Sequence, residues 1–263
     1  MRIDVLGPLE VTDGDRAVPV VGQRQRALLA ALALELGKAV PVAGLVEALW
    51  GANPPVTART KLQAHVSALR KAFGQDVRDE GPLVTRAPGY LLRSGDVNLD
   101  LSVFEAQTTQ GREALQAGRC VAASELFAAA LALWRGPAFA DIDSALIRGA
   151  AEKLQERRLR ALEDKAEADL ATGCCDNVVA EVWPSLTANP FRERLRAMVM
   201  IALYRLGCRA EALALYLDGH RVMVAELGLE PGPQLRDLHQ RILADDPALA
   251  PVPLRGGPVI RGR

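Results

Sequence analysis

Aromatic residues are scarce in this chain: three Trp, three Tyr and five Phe among 263 residues. Ala, Leu and Val supply most of its 49% hydrophobic content, a mix that favours helices packed closely through small residues and argues against a mainly β architecture. Cysteine is equally sparse. Cys120, Cys174, Cys175 and Cys208 lack Cys-x-x-Cys spacing, and a chain of this size needs no disulfide to hold its core, so they read as reduced thiols. Only three histidines occur, His65, His220 and His239, and none sits in a Ser/His/Asp, Cys/His or His-Glu-x-x-His setting. Catalytic residues and metal ligands are therefore not expected, and the chain does not read as an enzyme. A Gly-x₄-Gly-Lys-Ser/Thr phosphate loop is missing too, so no nucleotide cofactor is expected.

Long apolar runs are also absent. The stretch 27–34 stops at Glu35, far short of the ~20 residues that span a bilayer. The first ten residues alternate charged and apolar side chains rather than placing an apolar run behind a basic patch. A cytoplasmic protein with no membrane partner is the expectation. Net charge is lacking as well, at 32 basic against 32 acidic residues, but the two halves differ in sign. Residues 1–93 carry 12 basic and 9 acidic side chains, and residues 94–263 carry 20 and 23. The stretch 54–93 alone holds seven basic residues against three acidic ones, a modest basic face suited to a polyanion.

What is present has a definite order. Residues 2–11 alternate, a turn follows at 12–15, and a second short run occupies 17–21, which predicts a small hairpin. Helical spacing of Leu28, Leu29, Leu32 and Leu36 predicts a helix over 25–36, and that of Leu45, Val46 and Leu49 a second over 42–50. A third, over 57–73, presents Leu62, Val66, Leu69 and Phe73 as one apolar stripe, with Gly74 as its stop. Leu83-Val84-Thr85-Arg86 and Tyr90-Leu91-Leu92 then flank a Pro88-Gly89 turn. Strands, three helices and a terminal hairpin describe a winged helix, whose third helix enters the major groove of DNA.

Residues 102–243 are helical in pattern and repeat themselves. Gly118, Ala123, Phe127 and Ala130 share their spacing with Gly173, Val178, Val182 and Ser185, and again with Gly207, Ala212, Tyr216 and Gly219. A turn glycine, small residues and one bulky residue at fixed offsets resemble the turn and second helix of a tetratricopeptide hairpin. The expected fold is mainly α: a winged helix-turn-helix with small β-hairpins over 1–93, a tetratricopeptide-like repeat domain over 94–247, and a flexible tail rich in Pro, Gly and Arg over 248–263.

The runs VAGLVEALWG (42–51), TARTKLQAHVSALRKAF (57–73) and LVTRAPGYLL (83–92) resemble the DNA-binding domain of the Streptomyces antibiotic regulatory protein family, itself similar to the OmpR type of winged helix. ALWRGPA (132–138) and ELGLEPGP (226–233) resemble signature stretches of the bacterial transcriptional activation domain that follows it in the same family. The strong preference for Arg over Lys, 27 to 5, agrees with a GC-rich actinobacterial genome. The resemblance implies an activator of a secondary-metabolite gene cluster, without a cofactor. It would bind direct repeats near promoters in double-stranded DNA as a homodimer, recruit RNA polymerase holoenzyme and reside on the nucleoid. A helical-repeat adaptor whose winged helix binds protein is the alternative.

At 100° per residue, the third helix turns Thr60, Ser67 and Lys71 away from its apolar stripe, with Arg59, Gln63 and Arg70 on the flank. Gln pairs with adenine, Arg with guanine, and hydroxyls with bases or phosphates. Arg86, just before the turn, is the expected wing contact. His65 is expected to pack or touch phosphate. Arg24 and Arg26 open the first helix and are expected to be solvated.

Overall fold

The computed structural model of the chain describes residues 1–75 and 81–250. These residues form two compact units, one gathering Met1–Gln107 with Ala130–Arg158, the other Thr108–Ala129 with the described residues from Leu159 onward.

The first unit opens with β1 (Arg2–Asp4), β2 (Glu10–Asp13) and β3 (Arg16–Ala17). Helices α1 (Gln23–Leu34), α2 (Val42–Trp50) and α3 (Ala58–Ala72) follow, with the short strand β4 (Val40–Pro41) before α2. The hairpin β5 (Leu83–Arg86) and β6 (Gly89–Leu92) forms the wing. The order of elements is the one expected, with α2 coinciding, α3 one residue shorter at each end and α1 two residues earlier. Two short strands were not foreseen. β7 (Asn98–Leu99) runs parallel to β1, pairing Arg2 with Asn98 and Ile3 with Leu99, and completes a sheet in the order β3-β2-β1-β7. β4 pairs with β6 through Val40 and Tyr90. At this crossing Gly89 is obligatory, because a Cβ there would lie 1.9 Å from the Val40 carbonyl oxygen. Leu28, Leu32, Leu45, Leu62, Val66 and Leu69 are buried and bring the three helices onto one core, the dominant stabilisation for such a unit.

A segment distant in sequence completes this unit. Arg135 N–H donates to the Leu6 carbonyl at 2.8 Å and Phe139 N–H to the Val5 carbonyl at 3.0 Å. The Asp141 carboxylate accepts from Leu9 N–H at 2.8 Å and from the Arg26 guanidinium. Gln23 reaches both sides of the same loop, donating to the Asp141 carbonyl at 2.9 Å and accepting from Asp143 N–H at 3.1 Å, and the Ser144 hydroxyl donates to the Ala48 carbonyl at 2.7 Å. The signature stretch around residue 134 is thus a strap across the winged helix. Trp134 packs edge-on against Phe104 at 5.5 Å.

α4 (Asp100–Gln116), α5 (Cys120–Ala132) and α6 (Ala145–Thr172) contribute residues to both units. The second unit continues with α7 (Cys175–Ala188), α8 (Glu193–Arg205), α9 (Arg209–Leu227) and α10 (Pro233–Leu243). Its repeats follow the spacing seen in the sequence. Gly118, Gly173 and Gly207 adopt φ of 72°, 82° and 81°, left-handed values that favour glycine and turn each helix back on its neighbour. Ala123, Phe127, Val178, Val182, Ala212 and Tyr216 are all buried, as is Ala130 where the first repeat passes into the first unit. Phe127 lies so near Gly111 that a Cβ there would approach its ring to 2.9 Å, a small residue opposite a large one. Pro247–Leu249 forms a single helical turn in which Leu249 is buried and its carbonyl accepts from Arg205 Nε at 2.9 Å. The segment read as a tail therefore begins as packed chain; its remainder, 251–263, lies outside the described residues.

Candidate nucleic-acid interface

The first turn of α3 carries no acidic residue, and its last turn carries Arg70 and Lys71. Ala58, Leu62, Val66 and Leu69 bury one face of the helix. Arg59, Thr60, Gln63, Ser67 and Lys71 are all exposed on the remainder, so the structure brings five of the seven expected residues onto one helix surface. Arg86 is exposed as the last residue of β5, on the wing. Among the described residues, no carboxylate within ion-pair distance neutralises Arg59, Lys71 or Arg86. Their charges are available to phosphate.

Arg70 differs from the other six. It is half-buried, and its guanidinium is engaged inside the unit, with Nε on the Leu83 carbonyl at 3.0 Å and a terminal nitrogen on the Thr85 hydroxyl at 2.9 Å.

At the opposite end of α3 the cations cluster. The Arg24 guanidinium lies 5.8 Å over the Trp50 ring, a cation–π geometry, and the same ring is 6.3 Å from His65. Burial first, then the neighbouring Arg24 and Lys61 charges, push the His65 imidazolium below its ordinary value. Arg24 is exposed as expected, but Arg26 is not solvated. It donates to the Leu9 and Val20 carbonyls besides holding Asp141. The reason is the strap, which supplies a carboxylate from 115 residues away.

Sequence reasoning missed Asp100, Asp141 and Gln75. Asp100 is buried at the start of α4, where its carboxylate accepts from Val5 and Leu6 N–H at 2.9 Å and from Leu101 N–H at 2.7 Å. Burial pushes this carboxyl up, against the opposing pull of its Leu6, Val5 and Leu101 donors. Its only sequence signal is an acidic residue where a helix begins. Gln75 lies just past the glycine that ends α3 and falls outside any helical face.

No group of three His, Cys, Asp or Glu side chains among the described residues could hold a metal ion. No described helix is long and apolar enough to cross a membrane.

A winged helix with an open polar and cationic third helix, joined to tetratricopeptide-like repeats, defines a class of DNA-binding transcriptional regulator. Two family descriptions match: "Transcriptional regulatory protein, C terminal" over residues 19–92 and "Bacterial transcriptional activator domain" over 99–243. The chain belongs to the Streptomyces antibiotic regulatory protein family, with an OmpR-type winged helix followed by the bacterial transcriptional activator domain. It is similar to Regulatory protein DnrI of Streptomyces peucetius, 34% identical over 267 residues that cover 99% of this chain and 97% of DnrI. Regulatory protein AfsR of Streptomyces griseus is 38% identical over 250 residues, but those cover 95% of this chain and only 25% of AfsR. The chain thus spans about a quarter of that relative. Among solved structures, Mycobacterium tuberculosis EmbR in complex with a low affinity phosphopeptide is similar at a TM-score of 0.87 and 36% identity, over 94% of this chain and 65% of EmbR.

Proposed function

We propose that this chain is a sequence-specific DNA-binding transcriptional activator of a secondary-metabolite gene cluster. In this reading α3 enters the major groove, where Gln63 and its neighbours Arg59, Thr60 and Ser67 meet base edges, while Lys71 and Arg86 hold phosphates. The observation that carries it is the set of exposed polar and cationic side chains on α3 and the wing, among which Arg59, Lys71 and Arg86 meet no carboxylate among the described residues. Residues 1–93 hold the DNA contacts, and residues 94–247 supply contacts to RNA polymerase holoenzyme and to a second copy on direct repeats near the promoter. The protein works on the nucleoid, in the cytoplasm. An adaptor role for the winged helix is not favoured, because the outward face of α3 offers polar groups where a protein interface wants apolar anchors.

The test is binding of the purified chain to promoter DNA beside its own gene at several salt concentrations, with footprinting. Binding is expected to weaken with salt at ~0.9 per phosphate neutralised. Gln63→Ala should relax one base position at ~1–3 kcal/mol, whereas Arg86→Ala should weaken all sequences evenly. A chain that retains no DNA at low salt overturns the reading.

A further inference from the structure

The wing sheet runs β4-β6-β5, so among the described residues no strand covers the outer edge of β5. Exposed strand edges expose unpaired backbone groups that must be met by something. At Leu83 they are met by side chains from the end of α3. Leu83 N–H donates to Gln75 Oε1 at 3.3 Å, and the Leu83 carbonyl accepts from Gln75 Nε2 at 2.9 Å and from Arg70 Nε at 3.0 Å. The side-chain amide of Gln75 imitates a neighbouring strand. Two residues on, the Thr85 hydroxyl accepts from the same Arg70 guanidinium at 2.9 Å. Arg86, the exposed wing residue, comes next. Gly81 leaves room for the arrangement, since a Cβ there would lie 2.4 Å from Gln75.

From this geometry we infer that Arg70 is a positioning residue that latches the wing to the recognition helix, rather than a reader of bases. The inference rests on the DNA-binding reading above. A planar fork with two donors on two acceptors of one strand fixes direction as well as distance. A hairpin pinned at both Leu83 and Thr85 cannot pivot about its base, so Arg86 is held at a set reach from Gln63 and Ser67 before DNA arrives. Without the latch, that ordering must be supplied on binding and subtracts from affinity. Arg70 therefore acts through Arg86.

The experiment compares the full chain with its Arg70→Ala, Arg86→Ala and double variants on the promoter site that the wild type selects, using titration, hydroxyl-radical footprinting and randomised-site selection. Arg70→Ala is expected to weaken binding about tenfold, in line with loss of charge-assisted hydrogen bonds. It should lose protection on the wing-side flank and leave the base preference intact. In the double variant the two losses should fall short of their product, because the second has little left to remove. Losses that multiply, or relaxed preference at a single base pair with flank protection kept, would overturn the latch in favour of direct reading. Should Arg70→Ala fail to fold, Thr85→Val removes one acceptor and should give a smaller loss confined to the same flank; a wild-type footprint in Thr85→Val would then refute the latch. A wild type that binds no promoter DNA would instead defeat the proposed function itself.

Discussion

In the N-terminal unit the buried and half-buried polar side chains mostly hold backbone: Asp100 takes three N–H groups, Asp141 takes Leu9 N–H besides pairing with Arg26, and Arg70 and Gln75 take the edge of β5, while buried Asp4 pairs instead with Arg2. In the helical unit such groups mostly hold one another. Lys165, buried on α6, pairs with Asp169 at 2.7 Å and Glu181 at 2.8 Å, while Ser124 donates to the same Asp169. Glu163, also buried, pairs with Arg192 at 2.7 Å and Arg194 at 3.2 Å. Burial alone would push Lys165 down, but Asp169 and Glu181 outweigh it and hold the ammonium above its ordinary value. Arg196 and Arg205 are exceptions, the first donating to the Leu215 and Pro190 carbonyls and the second to those of Leu249 and Leu170. The difference follows from architecture. Helices satisfy their own backbone, leaving side chains to set register between neighbours, whereas short strands and loops leave backbone groups that side chains must meet.

The contrast breaks most visibly at Asp169. Asp169→Ala leaves Lys165 buried with one exposed partner and should cost about 3 kcal/mol in urea unfolding. Lys165→Met combined with Asp169→Leu should recover most of that loss, because an apolar pair has no charge to strand. Full cost in the double variant would mean that the pair does more than set register. Asp100→Ala should cost about 2 kcal/mol. No companion substitution can rescue it, since its partners are the backbone N–H groups of Val5, Leu6 and Leu101. Recovery in Asp100→Leu would erase the distinction drawn between the units.

The smallest expected effect concerns pH. The native unit favours neutral His65, so its contribution to stability is present above the ordinary histidine value and is lost as pH falls from about 6.5 toward the lower folded value. His65→Gln should flatten that part of the stability profile of the N-terminal unit. An unchanged slope would show that Arg24, Lys61 and burial do not govern this ring.

The legibility of the molecule divides along the same line. α2 and the repeat turns at Gly118, Gly173 and Gly207 could be read from spacing, because a helix and its stop are written within a few residues. The outward face of α3 was legible for the same reason, with Arg59, Thr60, Gln63, Ser67 and Lys71 lying opposite or beside a clear apolar stripe. Arg70 shows where such reading ends. Its helical angle places it on the flank, but the angle carries no information about a strand that begins 13 residues later and needs its guanidinium.

The sequence by itself therefore determined the mainly helical class, the winged-helix order, the repeat period and the polar surface of the third helix, all through local periodicity and turn chemistry. Tertiary structure alone decided that the strap around Trp134 and Asp141 completes the winged helix, that Asp100 closes the start of α4 onto the residues that follow the first strand, and that Arg70 and Gln75 seal the wing. The bond from Leu9 to Asp141 spans 132 residues. A backbone group left unpaired at one end of a chain specifies only that some acceptor or donor must reach it, and only the folded chain determines which side chain does.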